Sequence, residues 1–310
     1  MGGVLQRLTS AGLVVPPTWL PQAIQYEVIN GSYTYGVSTD DSDFDVYGFC
    51  IPHLEMIFPH LSGEIEDFDK EAARFHSYQQ HHIHDPSARV GLGQDYDVTI
   101  YNIVRFLRLC MEGNPNMVNS LFAPRDSILF STRIGEFVRE HRKLFLHKGC
   151  WHKYKGYSYS QMHKMRTSKP IGKRVATVAK YGYDVKFGYH VVRLLLEVEQ
   201  ILTEGDLDLR RHSEQLKAIR RGEWTQEKLI EWAGDKEKAL EKAYEESSLP
   251  WGPDTGAIKA ILLEALRMHF GTLEGKYRDP GAAEVTIEAI GNLIELYRRG
   301  QKDVIIAETL

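Results

Sequence analysis

Two aspartates, Asp43 and Asp45, stand two residues apart within Gly31 to Gly48, a stretch that reads G-S-Y-T-Y-G-V-S-T-D-D-S-D-F-D-V-Y-G. On a strand that spacing puts both carboxylates on one face, while Phe44 and Val46 turn to the other and into a core. Two parallel carboxylates make a hard-oxygen grip for Mg²⁺, which keeps several waters and completes its shell with substrate phosphates. The same stretch opens on Gly31 and Ser32. A glycine lets backbone approach a phosphate closely, and a serine at the start of a helical turn offers a hydroxyl and amide donors to an anion. Metal and phosphate would meet at one point, as a nucleotide-handling site requires.

Strands must carry these groups. An apolar run, Ile24 to Ile29, leads into Gly31, and a second, Phe44 to Ile51, bears the acids. The unit therefore reads as strand, tight turn, short helix, strand. Asp-x-Asp alone is a common turn element and Gly-Ser alone a loop signal. It is their order, between two apolar strands, that points to function.

That combination resembles the Gly-Ser to Asp-x-Asp signature of the DNA polymerase beta type nucleotidyltransferase superfamily. Within it, the chain is similar to a bacterial and phage family of predicted nucleotidyltransferases, some of which accompany RNA ligases in RNA repair gene clusters. The matching segments are Gly31 to Ile51, Asp97 to Phe122, Lys180 to Leu202 and Ile219 to Trp224, spread over about three quarters of the chain. Many relatives carry a glutamate where this chain has Asn119.

The resemblance implies an α+β fold, a third acid on a neighbouring strand, and two Mg²⁺ (or Mn²⁺) ions held by Asp43, Asp45 and Asp97. Asp95 and Asp97 share one strand face, and Asp97 lies deeper in the strand and aligns better with the family pattern. The implied reaction moves a nucleoside monophosphate from an NTP to an acceptor and releases pyrophosphate, with Gly31 and Ser32 on the β and γ phosphates. The favoured acceptor is an RNA end, that of a tRNA included. The alternatives are nucleotidylation of a protein side chain or of a small molecule such as an antibiotic, or a catalytically inactive nucleotide- or RNA-binding module.

The net charge of −4 hides an asymmetry. From Arg133 to Arg193 there are fifteen Lys and Arg against three acids, interleaved with Trp151, Tyr154, Tyr157, Tyr159, Tyr181, Tyr183, Phe187 and Tyr189. Cations neutralise phosphates and aromatic faces stack bases, which fits a nucleic-acid partner. The competing reading makes the aromatics helix core and the cations a solvated face. Along the helix from Lys180, the residues Lys186, His190 and Arg193 recur at helical spacing. Lys180, Lys186, His190 and Arg193 are the candidates for triphosphate contact, with Asp184 and Glu197 able to neutralise them instead.

His81, His82, His84 and Asp85 cluster on what reads as a polar loop. No fourth ligand stands at a recurring zinc spacing, so the cluster is placed near the active site, between the Asp-x-Asp strand and Asp97. Three cysteines without metal spacing suit a reducing compartment, and Cys50 and Cys110 read as buried thiols. There is no run of eighteen apolar residues and no secretory pattern, so a cytoplasmic protein without a membrane span is expected.

Residues 1–130 read as the nucleotidyltransferase domain of mixed sheet and helices, and 131–310 as an all-helical domain. Helices are predicted over 133–145, 151–166, 173–202, 213–221, 225–247, 255–272 and 282–299. Earlier in the chain, 102–113 is periodic and Asn114-Pro115 opens a further helix with a cap and a first-position proline.

Overall fold

A computed structural model describes residues 2–39, 42–62, 74–87 and 95–272, with Ile290, Gly291, Leu293 to Glu295 and Tyr297. The helix predicted over 282–299 lies largely outside the described residues. Those within Met1–Ile51 and His76–His269 form one compact unit, and those within Pro52–Phe75 and Phe270–Leu310 a second.

The first unit starts with α1 (Val4–Ser10) and α2 (Leu20–Ala23) and continues into β1 (Ile24–Asn30) and β2 (Phe44–Cys50). The second unit contributes α3 (Leu54–Ile57) and a 3-10 turn, Pro59–Ser62. Back in the first unit come β3 (Ser77–His84), β4 (Asp95–Asn102), α4 (Ile103–Met111), α5 (Pro115–Phe122) and β5 (Ile128–Ser131). Only helices follow: α6 (Arg133–Glu140), α7 (Cys150–Thr167), α8 (Lys173–Tyr181), α9 (Val185–Glu204), α10 (Ser213–Arg220), α11 (Gln226–Glu246) and α12 (Thr255–Phe270), with short 3-10 turns between some of them. The architecture is α+β, a five-stranded sheet followed by a largely helical region. Among the described residues no helix is long and apolar enough to cross a membrane.

The sheet order is β3-β4-β2-β1-β5. β2 and β4 run parallel and every other pair is antiparallel, so the sheet is mixed. β1 is buried at every position, its polar residues included, because they are bonded: Glu27 accepts from Leu5 N at 3.0 Å and Asn30 donates to Asn116 O at 2.9 Å. β2 alternates at its start: Phe44 and Val46 are buried, and Asp45 and Tyr47 are partly open. Leaving those two positions open on one face is what makes a site possible there.

Local signals explain several helix ends. Asn102 caps α4 by accepting from Arg105 N at 2.6 Å, and Asn114 caps α5 by accepting from Asn116 N at 3.1 Å, with Pro115 at the first position. The helix predicted over 173–202 is two helices. Gly182, left-handed at φ +81°, closes α8, and Asp184 then caps α9 by accepting from Lys186 N at 2.9 Å. α9 is the centre of the helical region, burying Val191, Val192, Leu194, Leu195 and Val198 against its neighbours. Each such side chain contributes roughly 1.5–3 kcal/mol. Cys50, Cys110 and Cys150 are buried free thiols.

Candidate active site

The parallel pairing of β2 with β4 sets Asp45 directly beside Asp97. Neighbours in register project from the same face, so the two carboxylates share one surface. Asp43, exposed, stands one step out at the start of β2. Asp95 lies at the entry to β4 and is engaged by His84 Nδ1 at 2.9 Å. Burial pushes the Asp45 carboxyl up to about 6. The charge of Lys186 opposes that rise, Asp97 and Asp43 add to it, and His81 opposes it. These four groups all act on Asp45.

The segment after β1 is a single helix-like turn, where the sequence suggested a short helix. Tyr35 N donates to Gly31 O at 3.3 Å and Val37 N to Ser32 O at 2.9 Å. The chain then leaves the turn, since Gly31 enters it left-handed at φ +72° and Gly36 repeats that conformation. Thr34 Oγ1 donates to Ile29 O and ties the turn to β1. Two arginines hold it from the helical side: Arg210 Nε donates to Thr34 O at 3.3 Å, and Arg220 donates to Val37 O. Arg210 is itself fixed by Asp126, at 2.7 and 2.9 Å.

The histidine cluster sits on a strand, β3, where the sequence suggested a loop. The register with β4 slips between Gln80 and Ile83, and His82 takes φ +55° at that bulge. Its amide donates to Asp97 Oδ1 at 2.7 Å, and His81 Nδ1 stands 3.6 Å from Asp97 Oδ2. Asp85 is turned inward and bonded to Arg7 and Ser87.

The four candidate phosphate contacts have different placements. Lys186 is exposed on the first turn of α9 and acts on Asp45. His190, one turn further, is partly buried against Tyr189, with ring centroids 4.2 Å apart. Burial, with Arg193, Lys186, Arg220 and Arg174, holds its imidazole well below the ordinary pKa, so it is neutral. Arg193 is buried, with Nη1 donating to Glu197 at 2.8 and 2.9 Å and its guanidinium 4.3 Å from the Tyr35 ring. Lys180 is exposed on α8, with its ammonium 4.9 Å from the Tyr181 ring.

Three features escaped the sequence reading. Tyr47 follows Asp45 by two residues and shares its face, and its surroundings include Asp45, Asp97, Tyr101 and Tyr157. Strand alternation alone would have found it. Asn119 is fully buried and donates to both Glu197 oxygens, at 3.2 and 3.3 Å, and to Tyr35 OH at 3.1 Å. The Arg210 and Arg220 contacts span more than 170 residues and leave no local signal.

Asp43, Asp45 and Asp97 fit Mg²⁺ or Mn²⁺ in donor chemistry, since all three offer carboxylate oxygens and the charges of Asp43 and Asp97 act on Asp45. They are neighbours without forming a closed cage. Asp97 turns one oxygen to the His82 amide, and among the described residues no three His, Cys, Asp or Glu side chains are gathered as an ion would gather them.

No curated protein matches the chain. Among solved structures, a nucleotidyltransferase-like protein from Exiguobacterium sibiricum 255-15 is similar over 95% of this chain and 91% of that one, at 11% identity and a TM-score of 0.25. The profile described as RlaP, RNA repair pathway DNA polymerase beta family, matches residues 17–249. With an in-register pair of acids beside a glycine-serine turn and that profile running through most of its length, the chain belongs to the RNA repair pathway DNA polymerase beta family.

Proposed function

We propose that this protein is a metal-dependent nucleotidyltransferase that moves a nucleoside monophosphate from an NTP to the end of an RNA. The observation that carries the reading is the register of Asp45 with Asp97, next to the turn that starts at Gly31. Asp43, Asp45 and Asp97 would hold two divalent ions, which when bound supply charge neutralisation at the triphosphate and acidify the acceptor hydroxyl. Everything else is the work of the chain. The backbone at Gly31 and the Ser32 hydroxyl would donate to the β and γ phosphate oxygens. Lys186, an exposed cation whose charge acts on Asp45, would offset the negative charge that gathers on the departing pyrophosphate.

The acceptor oxygen forms a bond to the α-phosphorus, and the bond from that phosphorus to the bridging oxygen breaks in line with it. The hydroxyl proton passes to a carboxylate of the acid face. Arg193 contributes at one remove, by fixing Tyr35 within the turn.

The test is incubation with each of four α-³²P-labelled nucleoside triphosphates, Mg²⁺ or Mn²⁺, and total RNA, beside an Asp43→Ala, Asp45→Ala variant. Label is expected in RNA with the wild-type chain alone. Label in polypeptide would replace RNA by a protein acceptor, and equal transfer by the variant would overturn the acid face as the site.

A further inference from the structure

A concave site lies apart from the acid face. The C-terminal end of α7, the 168–172 connection and the adjoining parts of α8 and α9 enclose a cavity of about 210 Å³, whose walls include Arg166, Ser168, Lys169, Arg174, Asp184 and Phe187. Three of these six are cations and one is an acid. The acid is already engaged: Asp184 Oδ1 accepts from Lys186 N at 2.9 Å, and its Oδ2 faces Arg174 Nη1 at 3.5 Å. Arg174 also packs on the Phe187 ring at 4.7 Å, which holds its guanidinium on the cavity wall. Arg166 and Lys169 are exposed and have no ion-pair partner among the described residues. The cavity is therefore a concave surface with unneutralised positive charge, and such surfaces concentrate anions.

Lys186 follows Asp184 by two residues and acts on Asp45. Asp184 joins α8 and α9, its Oδ2 facing Arg174 Nη1 at 3.5 Å while its Oδ1 accepts from Lys186 N at 2.9 Å. The cavity's cationic wall thus adjoins the first turn of α9, which carries Lys186. None of the three acids lines the cavity, whereas the α-phosphorus of an NTP must lie against them.

We propose that this cavity binds backbone phosphates of a single-stranded RNA. Calling that strand the acceptor rests on the nucleotidyl-transfer reading; the binding of RNA does not. An NTP is the other source of the same phosphate chemistry, and the experiment separates the two.

The full-length protein is titrated with a fluorescently labelled single-stranded RNA, followed by anisotropy at several salt concentrations, and separately with ATP and Mg²⁺. The wild-type chain is compared with the Arg166→Ala, Lys169→Ala double variant and with Lys153→Ala. Lys153 is an exposed cation on the same helix, about 20 Å from Arg166 along its axis. All three side chains are exposed, and thermal melts verify that each variant folds. The double variant is expected to bind RNA about tenfold more weakly, with the slope of log affinity against log salt reduced by about 1.4. Its ATP binding and the RNA binding of Lys153→Ala should be unchanged. Unaltered RNA affinity in the double variant, an equal loss in Lys153→Ala, a loss confined to ATP, or no RNA binding by the wild-type chain would each overturn the proposal. Because binding is the readout, a chain that binds RNA here and transfers no nucleotide refutes the transferase reading alone.

Discussion

Gly31 lies against the carboxylate of Asp45: a Cβ on residue 31 would stand 2.2 Å from Asp45 Oδ2. Residue 31 is also left-handed, at φ +72°, so both its backbone and its surroundings call for glycine. The turn and the acid pair are thus one device, since Asp45 can take its place only where residue 31 has no side chain. Gly31→Ala should cost about 1–2 kcal/mol of stability from backbone strain. Transfer should suffer more than stability, because the short Asp45 side chain must rotate away. Denaturant unfolding and nucleotide incorporation together check this, and a variant with wild-type activity would show that the Asp45 orientation does not matter.

Asp45 also sets a pH dependence. Its carboxyl is raised from 3.8 to about 6, so between those values the folded chain holds a proton that the unfolded chain has released. The stability this group contributes is fully present below 3.8 and is lost as the pH rises through about 6. The ionised carboxylate then costs up to about 3 kcal/mol, less what solvent screens. With divalent ions chelated, Asp45→Asn should be more stable than the wild-type chain at about pH 8, and the difference should vanish near pH 4. Thermal melts across pH test it, and a variant less stable at the higher pH would contradict the sign.

Metal addition should reverse that order. Mg²⁺ binds the deprotonated acids, so it should raise the melting temperature of the wild-type chain and leave Asp45→Asn nearly unmoved. The wild-type shift should shrink below about pH 6, where protons compete for Asp45. Equal shifts in both chains would place the ion elsewhere.

The buried pair of Arg193 and Glu197 should behave as structure. Glu197→Gln leaves the Arg193 guanidinium uncompensated in the interior, at a cost of about 3–5 kcal/mol. The Arg193→Met, Glu197→Met double variant should lose less than the sum of its single changes, because it removes both charges. Additive losses in denaturant unfolding would speak against the pair acting as a unit.

Arg210 anchors the turn from the helical side. Arg210→Ala removes the bond to Thr34 O and the bidentate contact with Asp126, so a loss of about 1 kcal/mol is expected. Because the turn is where the triphosphate is proposed to lie, KM for the NTP should rise several-fold with kcat changed less. An unaltered KM would mean that the turn keeps its shape without the clamp.

Much of this was legible in the sequence wherever the cause was local. Alternation put Phe44 and Val46 in the core and left Asp45 open, and Asn114-Pro115 announced the start of α5. The run from residue 173 to 202 looked continuous because apolar periodicity persists across Gly182. The break depends on a left-handed glycine followed by a capping Asp184, a backbone choice that periodicity does not register. His81, His82 and His84 looked like loop because their strand lies at the sheet edge with little apolar face to reveal it.

The sequence by itself determined the α+β class, the pairing of acids with a glycine-serine turn, and the basic character of the segment from Arg133 to Arg193, because periodicity, spacing and charge are written in neighbouring residues. Only the tertiary structure decided which acid stands beside Asp45 and which cation faces it. It also decided that Arg193 is spent on Glu197, and that Arg210 and Arg220 hold a turn more than 170 residues away. The physical reason is that the role of a charge is set by its nearest partner in space and by how far water is excluded from it, and both depend on how distant strands and helices pack.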